Sequence, residues 1–218
     1  MSNLKTTYVA IDIEKAGKKI DDAILAIGLC VGSQTGQVIE KRLWCLEFPE
    51  GKGIEEQCNQ EFWMKYPELL KFIRENAKPI VEVMTEFAKF IDDLESKYQK
   101  IVFVSDNPAF DIGAIDYYLH KYVGRCPMRY TKSAKYCCIS DPSERLEMLV
   151  NKKAIYEEID KIAKHSHKPD DDAEYIYHMQ IAADKYKQLN CLDWFVVQTK
   201  DVIHRIGEER IIDAIRYM

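Results

Sequence analysis

The segment Thr7-Tyr-Val-Ala-Ile-Asp-Ile-Glu14 decides the fold, because it is an apolar, β-rich run that becomes acidic only at its end. Such a run is typical of a central strand whose carboxyl end is exposed. Side chains alternate across a strand, so Asp12 and Glu14 share one face while Ile13 packs on the other. At about 3.3 Å of rise per residue the two carboxylates lie about 7 Å apart and can jointly bind a hard divalent cation. Ordinary solvation of a strand end is the alternative interpretation.

Outward from this strand, the pattern predicts a sheet built from several parts of the chain. Residues 23–32 and 38–48 are predicted as strands that form a meander with the first one. After Pro79, apolar residues recur every three or four positions up to Tyr98, which predicts a helix leading into a fourth strand at 100–105. Cys137 and Cys138 are interpreted as residues of a further strand, with a redox pair as the alternative. This order predicts an α/β fold with a mixed five-stranded sheet and helices on both faces.

The rest of the chain is predicted to be mostly helical. Apolar spacing predicts helices at 109–122, at about 155–165 and at 170–189. Two more helices, separated by Gly207, are predicted at the C-terminus. Because no linker, repeat or low-complexity block interrupts the sequence, we expect one domain at 1–190 and a helical extension at 191–218 packed on it.

A second acidic motif follows the predicted fourth strand, in Ser105-Asp-Asn-Pro-Ala-Phe-Asp111. Phe110 can anchor the new helix, and Asp111 in its opening turn can face the sheet edge where Asp12 and Glu14 lie. Asp106 is a competing metal ligand. The alternative is that Asp106 or Asn107 caps the helix and Asp111 only stabilises its positive end.

A third motif, His165-Ser-His-Lys-Pro-Asp-Asp-Asp172, precedes the helix predicted at 170–189. Asp170 behind Pro169 suits the N-cap position, which places Asp172 in the first turn, where it can face a metal ion. His167 titrates near neutral pH and can accept a proton from an attacking water. Aspartates at a helix start are also common as caps, and an exposed histidine often has no special role.

The composition restricts the functional class. A formal net charge of −5 argues against a protein that holds long nucleic acid by a broad basic surface, but it permits an enzyme that holds a few terminal nucleotides beside bound cations. Seven cysteines without zinc spacing indicate reduced thiols. The sequence has neither a signal-peptide pattern nor a membrane span, so we expect a soluble, intracellular (cytoplasmic) protein.

In order and character, Asp12-x-Glu14, Asn107-Pro-Ala-Phe-Asp111 and His167-Lys-Pro-Asp-Asp-Asp172-Ala resemble the three motifs of the DEDDh 3′-to-5′ exonuclease superfamily. The segment Glu61-Phe-Trp-Met-Lys-Tyr-Pro67 is similar to the bacterial and viral 3′-to-5′ exoribonuclease-like branch. The resemblance covers about residues 7–180. It implies a ribonuclease-H-like fold and hydrolysis of single-stranded RNA or DNA from the 3′ end to nucleoside 5′-monophosphates.

The same resemblance implies a role for each matching residue. The metal ligands would be Asp12, Glu14, Asp111 and Asp172, holding two Mg²⁺ or Mn²⁺ ions per site. His167 would be the general base, with His165 as a rival. Lys15 departs from the family pattern, which commonly has a small hydroxyl residue there.

Five residues near the motifs are candidates for contacts with a nucleic-acid substrate. Candidates for contacting substrate are Trp63, Phe62, Tyr66, Lys15 and Asn107, although Trp63 could equally pack in the core. The expected partner is a single-stranded 3′ end, and the C-terminal helices would allow a homodimer.

Two alternatives stay open. The first is a DNA-specific trimming exonuclease, since nothing in the sequence distinguishes ribose from deoxyribose. The second is a catalytically silent nucleic-acid-binding module on the same fold. All four carboxylates and a histidine are present, which favours an exoribonuclease or other exonuclease over the silent module.

Overall fold

The computed structural model describes residues 6–128, 137–147, 149 and 152–185. Its five strands are β1 (Thr6–Lys15), β2 (Ile24–Ser33), β3 (Val38–Cys45), β4 (Lys100–Val104) and β5 (Cys137–Ser140). They lie in the order β3-β2-β1-β4-β5. The pairs β1–β2 and β2–β3 are antiparallel, while β1–β4 and β4–β5 are parallel. The predicted mixed five-stranded sheet is therefore confirmed.

Helices connect the strands in the described part of the chain. A short α1 (Glu56–Cys58) continues into a π-helical turn (Asn59–Trp63) and is followed by α2 (Pro67–Asn76) and α3 (Ile80–Lys97). After β4 come α4 (Asp111–Val123), α5 (Pro142–Glu147), α6 (Lys152–Ile159) and α7 at 169–185. None of the helices in these described segments is both long and apolar enough to cross a bilayer.

One face of the sheet packs against α3 and α4. Val9, Ile11 and Ile13 of β1 point into this core, where they meet Phe87 of α3 and Ile115 of α4. These three alternating residues of β1 face this layer, which accounts for their apolar character. Asp12 and Glu14 consequently lie on the opposite face, as alternation predicts.

The opposite face packs against α7. Tyr8 and Ala10 of β1 and Cys30 of β2 form a smaller core with Ala173 and Tyr177 of the helix. Helices therefore cover both faces of the sheet, as predicted. The compact unit Met1–Ile181 contains the whole sheet, and a second unit begins at Ala182.

Several predicted boundaries differ from the structure. The third strand ends at Cys45 rather than 48, and the helix predicted at 155–165 spans Lys152–Ile159. Helix α2 was not predicted, although its apolar residues lie mainly on one side, because its ten residues are fewer than the window of about 11–18 residues over which helical periodicity is recognised. The predicted helices at 192–218 and the extension at 191–218 lie outside the described residues.

Candidate active site

Asp12 and Glu14 lie on β1 past the last residue that pairs with the parallel strand β4. Pairing of β1 with β4 runs from Thr6 with Lys100 to Ala10 with Val104. Asp12 and Glu14 therefore project beside the turn that follows β4. Both are half-buried, and Asp12 pairs with Gly28 of β2. The free strand end gives their carboxylates room to reach a ligand.

Asp111 reaches this edge from the start of α4. Its side chain is only 2% exposed and accepts a short hydrogen bond from the Ser105 hydroxyl. Its amide donates to the Asn107 carbonyl at 2.9 Å, which fixes the first turn of the helix. The Asn107 side-chain oxygen accepts from the Phe110 amide at 3.3 Å. Asn107 thus supports the turn before the helix, but the capping alternative is wrong, because the N-cap residue of α4 is Phe110 and no side chain caps this helix.

Asp172 arrives from α7 and is 2% exposed. Its Oδ1 accepts hydrogen bonds from the Ser166 amide at 2.7 Å and the His167 amide at 3.2 Å. The amides of Asp171 and Asp172 donate to the Lys168 carbonyl, so Lys168 caps the helix and the predicted N-cap Asp170 lies inside its first turn. That correction leaves Asp172 in the first turns, where it faces β1.

The neighbouring aspartates are held elsewhere. Lys41 of β3 binds Asp171 at 2.7 Å and Glu174 at 2.8 Å, and Lys168 approaches Asp170 at 3.2 Å. These ion pairs tie α7 to the edge strand. Of the three consecutive aspartates, Asp172 alone is grouped with the β1 acids among the described residues.

A close approach of backbone to backbone sets the position of α7. A Cβ on Gly28 would lie 1.9 Å from the Pro169 carbonyl carbon and 2.3 Å from the Asp170 nitrogen. Only glycine permits this contact, because a strand glycine lets another segment approach directly. Since Gly28 is the partner of Asp12, the contact brings the start of α7 to the β1 acids.

The resulting cluster is strongly acidic. One carboxylate oxygen each from Asp12, Glu14 and Asp172 lies within 4.8 Å of the others. Asp111 is not in that triplet, but its charge raises the pKa of both Asp12 and Glu14. Asp106 is exposed and has the smallest effect on Asp12 among the four neighbouring acids.

Burial and mutual repulsion disfavour the charged forms of these groups. Burial, followed by the charges of Asp111, Glu14 and Asp172, raises the pKa of Asp12 well above its usual value. Burial and the charges of Asp172 and Asp111 raise the pKa of Glu14 to about 9. Burial raises the pKa of Asp111 to about 7, against the lowering effect of the Ser105 hydrogen bond. Bound cations would relieve this repulsion, and oxygen donors suit Mg²⁺ or Mn²⁺.

Both histidines of the third motif lie beside Asp172. His165 Nε2 is 3.5 Å from Asp172 Oδ2, and the His167 ring packs 4.4 Å from Tyr66 and 5.4 Å from Phe62. Burial, then the charge of His165, lowers the pKa of His167. His167 also has a φ of 63°, a left-handed conformation that is uncommon for a non-glycine residue and costs about 1–3 kcal/mol.

The aromatic candidates have different environments. Trp63 is 1% exposed, and its Nε1 donates a hydrogen bond to the Lys15 carbonyl at 3.1 Å. It therefore packs in the core, as the alternative interpretation predicted, and neither face of its ring is free to stack on a base. Phe62 and Tyr66 are half-buried and contact His167. Of the three aromatic candidates for stacking, Phe62 and Tyr66 keep partly exposed side chains and Trp63 does not.

Lys15 departs from the expected phosphate contact. Its side chain is buried, with Nζ bonded to the Lys19 carbonyl at 2.5 Å and lying over the Phe110 ring at 4.8 Å. Burial lowers its pKa. A contact with substrate would require the side chain to leave this position, so its observed role is to hold the loop after β1.

Sequence reasoning missed two residues that position the site. Ser105, which fixes the Asp111 carboxylate, carried no distinguishing signal beyond its place at a strand end. Gly28 did carry one, because a glycine within an apolar strand commonly marks the close approach of another backbone.

Known proteins resemble this chain over most of the described region. Residues 7–183 match a family model described as the 3′-5′ exoribonuclease Rv2179c-like domain. The chain is 25% identical over 124 residues to the 3′-5′ DNA exonuclease Cap18 of Escherichia coli, covering 56% of this chain and 62% of Cap18.

Solved structures of exonuclease I have a similar fold. The product-bound form gives a TM-score of 0.62 at 12% identity over 88% of this chain and 46% of the other. The E. coli enzyme in complex with a dT13 oligonucleotide gives 0.62 at 13% identity over 87% and 43%. The chain thus spans less than two thirds of the length of Cap18 and less than half that of exonuclease I.

Proposed function

Because this chain belongs to the 3′-5′ exoribonuclease Rv2179c-like domain family, we propose that it hydrolyses single-stranded RNA from the 3′ end with the help of divalent cations. The products would be nucleoside 5′-monophosphates. The observation that carries the proposal is the meeting of Asp12, Glu14 and Asp172, from distant parts of the chain, at one edge of the sheet. Residues 1–190 would form the catalytic domain.

The proposed metal ligands are Asp12, Glu14, Asp111 and Asp172. Their donors are all oxygens, and four carboxylates are an appropriate charge complement for two Mg²⁺ or Mn²⁺ ions. The raised pKa values of Glu14 and Asp111 support this assignment, since these groups need neighbouring positive charge to ionise together. When bound, the cations would lower the pKa of the attacking water and stabilise negative charge on the phosphate and leaving oxygen.

His167 is proposed as the general base. Its lowered pKa keeps the imidazole neutral near pH 7, the form that can accept a proton from water. The hydrogen bond from its amide to Asp172 fixes the His167 backbone, and Tyr66 and Phe62 limit the movement of its ring. His165 remains the alternative base, and comparing kcat for His167→Asn and His165→Asn distinguishes the two.

Phe62 and Tyr66 are proposed to contact the terminal nucleotide. Each has a partly exposed ring next to His167, so a base stacked there would lie beside the proposed cation site. Base–aromatic stacking contributes about 1–3 kcal/mol per base. Asn107 is exposed at the same edge and could donate to a phosphate oxygen through its amide. Trp63 would have an indirect role, because it is buried in the core and its indole N–H donates a hydrogen bond to the Lys15 carbonyl.

A DNA substrate is the second candidate. The relative Cap18 is named a DNA exonuclease, and the similar exonuclease I was solved with a dT13 strand. The family description and the motif resemblance favour RNA. Nothing among the described residues distinguishes the two sugars.

The test uses 5′-labelled RNA and DNA strands of matched sequence with Mg²⁺ or Mn²⁺. We expect stepwise shortening from the 3′ end, faster for RNA, and no cleavage of a circular strand that has no 3′ end. Asp12→Asn should leave the linear strands intact. Binding without shortening in either metal would contradict the proposal and favour a silent binding module, whereas faster cleavage of DNA would overturn only the RNA preference.

A further inference from the structure

The described site contains a second group of metal donors that differs chemically from the carboxylates. One ring nitrogen each from His165 and His167 and one oxygen of Asp172 lie within 4.8 Å of one another. We infer that these three residues form a binding site for a transition metal such as Zn²⁺, overlapping the carboxylate site through Asp172.

The spacing of the donors is close to that of a tetrahedral ion. With metal–donor distances of about 2.0–2.2 Å, neighbouring ligand atoms of tetrahedral zinc lie about 3.3–3.6 Å apart. His165 Nε2 and Asp172 Oδ2 are 3.5 Å apart, so this edge of the tetrahedron is nearly formed. The remaining nitrogen, on His167, lies within 4.8 Å of the other two donors, so it must approach them by at most about 1.5 Å to close the set. Three protein ligands plus water complete four-coordination.

The surroundings favour this arrangement. Oδ1 of Asp172 accepts the amides of Ser166 and His167, which leaves Oδ2 directed at His165. The His167 ring is held against Tyr66 at 4.4 Å, and the His165 ring lies 5.9 Å from Tyr175. Such supporting contacts orient metal ligands before the ion binds.

The two donor sets select different ions. Imidazole nitrogen binds Zn²⁺, Cu²⁺ and Ni²⁺ well, whereas Mg²⁺ prefers oxygen ligands and keeps its waters. Saturating Mg²⁺ should therefore not fill the histidine site. The sequence pattern His165-Ser-His167 supplies the second imidazole, and the superfamily motif requires only one.

Occupation of this site has a functional consequence. An imidazole nitrogen of His167 that binds a metal cannot accept a proton from water, and Asp172 is drawn from the carboxylate set. Zn²⁺ should consequently inhibit hydrolysis in the presence of saturating Mg²⁺. The inhibition rests on the proposed function, but the binding does not.

Zinc binding is measured by calorimetric titration of the metal-stripped full chain in saturating Mg²⁺, and Co²⁺ visible absorption reports four-coordination. We expect one Zn²⁺ at the histidine site. His165→Asn should weaken binding by at least about 10-fold, since even outer partners of metal ligands contribute 10–100-fold. Asp12→Asn alters only the carboxylate set and should retain zinc affinity. His120→Asn is the matched control, because His120 also faces a carboxylate, Asp116 at 3.4 Å, on an exposed helix surface.

Unchanged affinity in a folded His165→Asn chain, or loss of affinity in Asp12→Asn, would place the zinc among the carboxylates and overturn the site. For unmodified protein, the midpoint of inhibition should coincide with the zinc dissociation constant. Full activity of the zinc-loaded chain would overturn the inhibition. A chain that binds zinc through His165 but degrades no strand in Mg²⁺ alone would support the site and contradict the proposed function.

Discussion

Gly28→Ala should disable the site while leaving the fold intact. A methyl group there would lie 1.9 Å from the Pro169 carbonyl carbon, and ordinary contact begins at 3.4 Å, so the start of α7 must withdraw by about 1.5 Å. Asp172 belongs to the same turns and would move away from Asp12. Because a displacement of about 1 Å can reduce turnover by about 10²-fold, we expect kcat to fall at least that far. Overpacking should lower the free energy of unfolding by about 1–3 kcal/mol.

The assay combines kcat on a labelled single strand at saturating Mg²⁺ with thermal unfolding. Gly32→Ala is the matched control, because its methyl group would lie 2.2 Å from the ring of Tyr177, which belongs to the same helix α7. Tyr177 is about 12 Å along the helix axis from Pro169, the residue that a methyl group on Gly28 would meet. Gly32→Ala should reduce stability with a smaller loss of kcat. Gly53→Ala, with nothing within 4 Å, should be neutral. A folded Gly28→Ala chain with near-normal kcat, or an equal loss in Gly32→Ala, would refute the reasoning.

Three further predictions follow from the acidic cluster and its surroundings. Asp12→Asn should reduce hydrolysis by at least about 10²-fold, measured on labelled strands, without lowering the melting temperature of metal-free protein, because it removes one of several repelling carboxylates. The raised pKa values of Glu14, about 9, and Asp111, about 7, mean that the folded chain binds protons more tightly than the unfolded chain. Metal-free protein should therefore lose stability as the pH rises from about 4, where the unfolded carboxyls ionise, up to about 7 for Asp111 and about 9 for Glu14, by up to about 1.4 kcal/mol per pH unit for each group within its own range. Mg²⁺ should reduce this loss, and a pH-independent melting temperature would contradict it. Tyr66→Ala should raise KM for a short strand, and Trp63→Ala should mainly lower the free energy of unfolding, by about 3–5 kcal/mol. Kinetics and thermal unfolding are measured on both variants. A Trp63→Ala chain that mainly raises KM, or a Tyr66→Ala chain that mainly loses stability, would reject these assignments.

The sheet was predictable because its main strands carry their own signals. Alternation in β1 placed Ile13 in the core and the two acids on the other face, and both placements are confirmed. The family was likewise predictable from the order of the three motifs, and the match over residues 7–183 confirms it. Helix α2 escaped prediction despite the apolar residues along one of its sides, because a helix of ten residues is shorter than the stretch of about 11–18 residues over which such a pattern is recognised.

The detailed site depends on contacts between distant residues, which local patterns do not encode. Lys41 is 130 positions from Asp171, yet their ion pair helps to leave Asp172 as the acid that faces β1. Trp63 packs in the core because the Lys15 carbonyl accepts its indole N–H. The sequence could state both roles for Trp63 but could not choose between them.

We propose above all that Asp12, Glu14, Asp111 and Asp172 together hold divalent cations beside the 3′ end of a strand. Anomalous diffraction from crystals soaked with Mn²⁺ and a nucleoside 5′-monophosphate locates such cations. We expect two manganese peaks about 4 Å apart among these carboxylates, with the phosphate bound to them. Crystals in which the nucleotide is bound but no manganese lies between these four side chains would contradict it.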